Sequence, residues 1–104
     1  TSFQAADAIA KEDFHISRSG SNRGTLFGKG IYAAESCTKA DEYAKEGQNQ
    51  QRCLLVCRVI LGNVFYCDAA SPDRSTLERE CRRAHHSVLG DREKVHGTFR
   101  EFIV

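Results

Sequence analysis

The residues of this sequence best suited to chemistry are one glutamate near its end and two tyrosines in its first half. Glu101 lies in an alternating run in which a strand would point its carboxylate to the same side as Phe99 and Ile103. A carboxylate on a buried face is costly unless it is paired or hydrogen-bonded. Tyr32 and Tyr43 could close a slot and stack on a flat aromatic ring between them. A solvated strand face and ordinary core tyrosines remain alternative explanations.

A glycine-rich turn precedes the first of these tyrosines. Gly28 and Gly30 flank Lys29, and glycine allows a positive φ and the close approach of a ligand to the backbone. The two usual nucleotide phosphate-loop patterns, GxGxxG and GxxxxGK[ST], are absent. A tight turn before a strand explains the two glycines equally well.

Apolar periodicity predicts the elements that would position these side chains. The predicted helices span 4–11, 35–46 (with Ser36 as N-cap) and 75–84. The predicted strands span 14–16, 31–34 (a strand or a turn), 53–61, 64–67 and 99–104, with polar loops over 18–24 and 47–51. A Gly62-Asn63 turn would join 53–61 to 64–67 as a hairpin, because parallel strands need a longer crossover. We therefore expect an α+β fold built mostly on antiparallel strands.

Length and charge exclude several classes of protein. A chain of 104 residues is at most one domain, and 15 Lys+Arg against 14 Asp+Glu carry no whole-chain signal for nucleic acid. No apolar run approaches the ~18 residues of a membrane span, and no signal peptide is recognisable. The start at Thr1 and the apolar end at Phe102-Ile103-Val104 lead us to expect a segment of a larger domain.

Two weaker patterns carry alternatives. Five cysteines without a CxxC pair argue against a disulfide framework and favour a reducing compartment. Cys81, His85 and His86 lack a full ligand set for zinc, and adjacent histidines do not easily reach one tetrahedral ion. The basic run over 79–86 is either a solvated helix face or a contact for an acidic partner.

Taken together, three blocks of the sequence resemble one family. They are Phe27-Gly28-Lys29-Gly30-Ile31-Tyr32-Ala33-Ala34, followed by Ser36 to Tyr43; His86-Ser87-Val88-Leu89-Gly90; and Arg100-Glu101-Phe102-Ile103-Val104. The sequence is similar over nearly its whole length to the catalytic, diphtheria-toxin-like ADP-ribosyltransferase domain of the poly(ADP-ribose) polymerase family. We therefore expect residues 1–104 to be part of such a domain.

The resemblance implies a role for each matching residue. Glu101 matches the catalytic glutamate and Tyr32 the tyrosine of the family's His-Tyr-Glu triad, with Tyr43 the second stacking tyrosine. Thr1 matches the third residue of a His-Gly-Thr/Ser motif beside the adenosine ribose. Residues 18–27 resemble part of the donor loop over the NAD site. The NAD-binding set implied in this way is Thr1, Gly28, Gly30, Tyr32, Ala34, Lys39 and Tyr43.

The sequence departs from the family pattern in three places. The triad histidine and its glycine would precede Thr1. Ala40 stands where the family commonly has a serine that bonds the nicotinamide amide, which removes about 1 kcal/mol of net hydrogen bonding. His15 stands where some members have an arginine. The tripeptide His96-Gly97-Thr98 repeats the motif only as a coincidental turn.

The resemblance implies a glycosyltransferase that transfers ADP-ribose from NAD to protein acceptors and releases nicotinamide, without a metal. Expected partners are acceptor proteins, with ADP-ribose polymer as a further candidate, no membrane, and nucleic acid only through other domains. The expected location is the nucleus or the cytoplasm. Two alternatives remain: a catalytically inactive module that binds NAD, ADP-ribose or a protein, and a structural module whose basic run is its contact surface.

Overall fold

A mixed sheet forms the centre of the computed structural model, which describes residues 1–19, 25–96 and 98–104. In these residues the sheet has four strands, β1 (Tyr32–Ala34), β2 (Val64–Cys67), β3 (Ser87–Asp91) and β4 (Arg100–Ile103). The helices are α1 (Phe3–Glu12), α2 (Cys37–Asp41), α3 (Arg74–Arg83) and α4 (Arg92–His96). Short 3-10 turns lie at Ile16–Arg18 and Gln48–Gln50.

The strands are ordered β1-β4-β3-β2, so β4 is an inner strand. It pairs antiparallel with β1 on one side and with β3 on the other, whereas β2 and β3 are parallel. Residues 68–86, which include α3, supply the crossover that a parallel pair requires. The expected α+β fold with a mostly antiparallel sheet is confirmed.

One face of the sheet carries the core. Residues directly opposite one another in neighbouring strands share a face, which places Val88 of β3 and Ile103 of β4 together. Phe27 and Leu77, from the loop before β1 and from α3, pack on them and are buried. Because Glu101 lies two residues before Ile103 on the same strand, it belongs to this same face.

The predicted strand over 99–104 is confirmed, and so is its alternation. Glu101 and Ile103 are buried while Arg100 and Phe102 are only partly covered. Ile31 and Val104 exchange two backbone hydrogen bonds of 2.9 and 3.0 Å, which extend the β1–β4 ladder by one pair. The helices predicted over 4–11 and 75–84 are α1 and α3, each shifted by about one residue at its ends.

The hairpin predicted across Gly62-Asn63 is wrong. Residues 51–62 are all described and form neither a helix nor a strand, so 53–61 is not the partner of β2. The partner is β3, a strand that periodicity did not predict. Buried Ser87 donates its hydroxyl hydrogen to the carbonyl of Leu61 at 2.7 Å, and the backbone N–H of His86 donates to Asn63 at 2.8 Å. These bonds tie the end of the apolar segment to β3 without forming a ladder.

Two further expectations need correction. Residues 14–16 do not form a strand, because the N–H of Phe14 is held by the Asp13 side chain at 2.8 Å and a 3-10 turn begins at Ile16. The helix expected over 35–46 ends at Asp41. Beyond it, the N–H of Tyr43 bonds three residues back to Ala40, and that of Lys45 bonds to Thr1, so helical bonding stops.

Candidate functional site

Glu101 sits where two small residues flank it. Its partner across β1 is Ala34 and its partner across β3 is Gly90, so neither neighbour on this face carries a bulky side chain. The residue is nevertheless only 7% exposed. The ring of Phe27 packs over Gly90 and fills the β3 side of this face, so a ligand that lies against the strand would reach the buried carboxylate from the side of Ala34.

Burial dominates the electrostatics of this carboxylate. Loss of hydration raises the pKa of Glu101, while the positive charges of Lys39 and Arg92 lower it and the negative charge of Glu42 raises it again. Lys39 and Glu42 belong to α2 and the turn after it, and Arg92 begins α4. Side chains from three parts of the chain therefore act on one acid group.

Tyr32 is fixed by the glycine-rich turn that precedes it. Its hydroxyl donates to the carbonyl of Gly28 at 2.7 Å and accepts from the N–H of Phe27 at 3.0 Å. Burial, more than any other influence, raises the pKa of Tyr32 to about 12, and the charge of Glu101 also contributes. The phenol is therefore neutral at any physiological pH and positions the ring rather than carrying charge.

The backbone conformation and the close packing of that turn explain why it contains two glycines. Gly28 has φ +90°, a conformation that other residues adopt only under strain. A Cβ on Gly30 would lie 2.3 Å from Cγ2 of Ile103, too close for a side chain. Gly30 thus lets the turn run against β4, whereas Gly28 lies against Glu78 of α3.

Tyr43 faces the site from the turn after α2. Its side chain remains exposed (48% for the residue), and the ammonium of Lys39 lies 5.2 Å from the centre of its ring. That ammonium also binds the carboxylate of Glu42 at 3.0 Å. The charges of Tyr43 and Glu101 both act on Tyr32, so Tyr32 lies within electrostatic reach of each of them.

The structure thus brings together most of the residues expected from the sequence. Tyr32, Ala34, Lys39, Tyr43 and Glu101 converge, and the two turn glycines support Tyr32. Thr1 lies at the side of the site: its backbone nitrogen donates to the carbonyl of Tyr43 at 3.2 Å. Of the donor loop expected over 18–27, positions 20–24 lie outside the described residues, as does Gly97 of the 96–98 turn.

Several residues near the site were missed by the sequence analysis. Glu42 had a signal, since it lies three residues after Lys39, a spacing at which opposite charges pair on a helix. Glu35 and Arg100 form a salt bridge of 2.6 Å. They are the next pair of opposite residues after Ala34 and Glu101, so their pairing can be predicted only once the β1–β4 register is known. Arg92 acts on Glu101 from α4, and nothing in the spacing of the sequence indicates it.

A cavity of about 460 Å³ lies elsewhere on the same sheet face. Its walls include Phe27, Leu77, Val88 and Ile103 of the core together with polar residues such as Glu78 and His86, but neither Glu101 nor Tyr43. The candidate site is therefore defined by converging side chains rather than by the volume of a pocket.

Among the described residues, no group of three or more His, Cys, Asp and Glu is placed to hold a metal ion. The zinc alternative also involves Cys81, whose side chain lies outside the described set. Among the helices that the structure describes, none has the length and apolarity to cross a membrane.

The fold and site define an α+β domain in which a buried glutamate on an inner strand lies opposite Ala34 and Gly90, within electrostatic reach of Tyr32 and Lys39. A comparison of the sequence with models of known protein families agrees with this architecture. The family model described as the poly(ADP-ribose) polymerase catalytic domain matches residues 1–101. The chain belongs to this family, whose activity is ADP-ribosyl transfer with NAD as substrate. Neither the curated proteins nor the solved structures that were compared with the chain gave a match.

Proposed function

We propose that this domain cleaves the bond between nicotinamide and ribose in NAD and transfers ADP-ribose to protein side chains. The observation that supports this most strongly is the position of Glu101, a buried carboxylate on β4 opposite Ala34 and within reach of the positive charges of Lys39 and Arg92. Cleavage generates positive charge on the ribose, and a fixed carboxylate beside the sugar stabilises that charge as it forms.

The tyrosines position the leaving group in this proposal. Tyr43 presents an exposed ring, and Tyr32 holds a second ring through its bonds to the glycine-rich turn. A nicotinamide ring stacked between them has its orientation set before the bond breaks, so less entropy is lost on reaching the transition state. Glu101, on the same sheet face as Tyr32, would then bond a ribose hydroxyl and orient the incoming nucleophile.

The departures in sequence favour a second candidate, binding of NAD or ADP-ribose without turnover. Ala40 lies in α2 between Lys39 and Tyr43 and has no hydroxyl to bond the nicotinamide amide. This difference weakens the hold on the substrate and leaves the carboxylate unaltered.

One experiment separates the two candidates. The domain, together with a version carrying the residues encoded upstream of Thr1, is incubated with NAD labelled in the nicotinamide or in the adenylate. We expect nicotinamide release and label on protein, and a loss on the order of a hundredfold in Glu101→Gln. Glu46→Gln, an exposed glutamate beyond α2, is the matched control and should leave the rate unchanged.

The outcomes differ clearly. Transfer that survives Glu101→Gln would remove the role given to this residue. Binding of labelled NAD without nicotinamide release would establish the binding module instead. Failure of both proteins to bind NAD would remove the site.

Acceptor proteins, ADP-ribose polymer as a further partner, and a nuclear or cytoplasmic location complete the proposal. These partners and this location follow from the ADP-ribosyltransferase activity proposed above. The exposed basic residues of α3, which include Arg79, offer a surface for an acidic polymer.

A further inference from the structure

The ammonium of Lys39 occupies an unusual position for a lysine on a short, exposed helix. Its side chain is only 13% exposed, whereas its partner Glu42 is 50% exposed. The bond of 3.0 Å to Glu42 holds the ammonium near the ring of Tyr43, 5.2 Å from the ring centre. Glu42 thus anchors a positive charge on the inner side of α2, next to the ring that faces the slot.

A positive charge next to Tyr43 affects the binding of the charged and the neutral forms of the nicotinamide ring differently. The nicotinamide of NAD is a positively charged pyridinium while it is bonded to ribose, and it is neutral once released. A cation beside one face of Tyr43 attracts that ring, but it repels a second cation stacked on the other side. The repulsion is reduced by water and by Glu42, yet it does not vanish, because the Lys39 side chain is the more buried of the two.

We propose that Lys39, anchored by Glu42 over Tyr43, is a specificity-determining residue that favours a neutral ring over a positively charged ring in the slot. The proposal rests on the function proposed above and adds to it the charge state that the slot prefers. It follows from the contacts of Lys39 with Glu42 and Tyr43 and from the burial of its side chain.

The preference of the slot for a neutral ring favours cleavage of the bond between nicotinamide and ribose. When the bond between the ring nitrogen and C1′ of the ribose breaks, its electron pair goes to the nitrogen, and the ring becomes neutral nicotinamide. The positive charge moves to the ribose, beside Glu101. Lys39 disfavours the charge where it starts and Glu101 favours it where it ends, so the two residues together promote its displacement along the slot.

Two arginines on other elements add positive charges of the same sign as that of Lys39. Arg92 of α4 acts on Glu101, and Arg74 of α3 acts on Tyr32. Tyr32 of β1 is neutral, since its pKa is raised to about 12 by burial. Lys39 is the cation that contacts a slot tyrosine directly, which makes it the residue to change first.

The test uses two small probes that differ in charge at the ring nitrogen, nicotinamide and 1-methylnicotinamide. Their affinities for the chain are measured by ligand-observed NMR titration at physiological salt. We expect wild type to bind nicotinamide more tightly, and the ratio of the two affinities to fall on the order of tenfold in Lys39→Met. Lys39→Arg, which keeps the charge, should restore most of the ratio.

The control is Lys45→Met, which removes an exposed lysine two residues after Tyr43 and should leave the ratio unchanged. A purely structural role of Lys39 would lower both affinities together and leave their ratio as in wild type, which would overturn the proposal. If wild type binds both probes equally, the proposal also fails, while the nicotinamide slot stands. If wild type binds neither probe, the proposed function itself fails.

Discussion

Two regions of this molecule have similarly apolar sequences, but one is buried in the sheet and the other is exposed to solvent. The end of the chain, from Arg100 to Val104, lies between two partner strands and buries its alternate residues. The segment 53–61 is at least as apolar, yet Val56 is 102% and Ile60 87% exposed. The difference shows that an apolar run becomes a strand only where neighbouring strands take up its backbone hydrogen bonds.

The same comparison explains where a site can form. β4 is held on both edges, so a carboxylate on it has a fixed position relative to β1 and β3. The segment 53–61 makes its described bonds to β3 only at its end, through Leu61. A reacting group must be held to a fraction of an ångström, and the inner strand meets this requirement.

The largest expected contrast between the two regions concerns side-chain truncation. Ile103→Ala removes a residue that is 4% exposed and packs with Phe27 and Val88, so we expect a loss of about 2–5 kcal/mol in the free energy of unfolding. Val56→Ala should change it by less than about 0.5 kcal/mol. Urea unfolding followed by circular dichroism measures both. Equal losses would show that the apolar segment is buried in solution.

The next contrast concerns two tyrosine hydroxyls. Tyr32→Phe leaves the N–H of Phe27 and the carbonyl of Gly28 without their partner, at a cost of about 1–3 kcal/mol. Tyr66→Phe loses a bond of 2.7 Å to Asp91 on the exposed face and should have little effect, because water replaces it. Thermal unfolding of the two variants against wild type decides this. A larger loss in Tyr66→Phe would contradict the support assigned to the glycine-rich turn.

The smallest expected effect is on the pH dependence of the free energy of unfolding, through the ionisation of Glu101. Because burial raises the pKa of this acid in the folded state, its contribution to stability is greatest at low pH and is lost as pH rises through that pKa. Glu101→Gln should therefore be more stable than wild type at neutral pH and should lack this loss. Unfolding midpoints from pH 4 to pH 8 test it, and a variant less stable than wild type at pH 8 would show that the charge of Glu101 is fully compensated.

The sequence allowed much of the site to be predicted because its residues are close along the chain or on one strand. The GKGIY turn, α2 and the last strand each contain a local pattern, and their convergence follows once β1 and β4 pair. The pairing partner of 64–67 could not be predicted in this way. The adjacent segment 53–61 offered an apolar run and a turn, while the true partner, β3, lies beyond a helix.

Charge partners were harder to predict than ring or glycine positions. Glu35 and Arg100 are far apart in sequence and meet only through the strand register. Arg92 acts on Glu101 only because α4 begins where β3 ends, beside β4. Such long-range electrostatic neighbours require the folded arrangement, whereas the turn glycines are visible in the sequence alone.

The inner position of β4 has a consequence for how a substrate would be received. A strand hydrogen-bonded on both sides cannot shift without breaking two ladders, so Glu101 acts as a fixed reference point. Any adjustment to a bound molecule falls to the five-residue α2 and the turn that carries Tyr43. Tyr32, paired with β4, belongs to the fixed wall, and differences between substrates would be absorbed on the side of Tyr43.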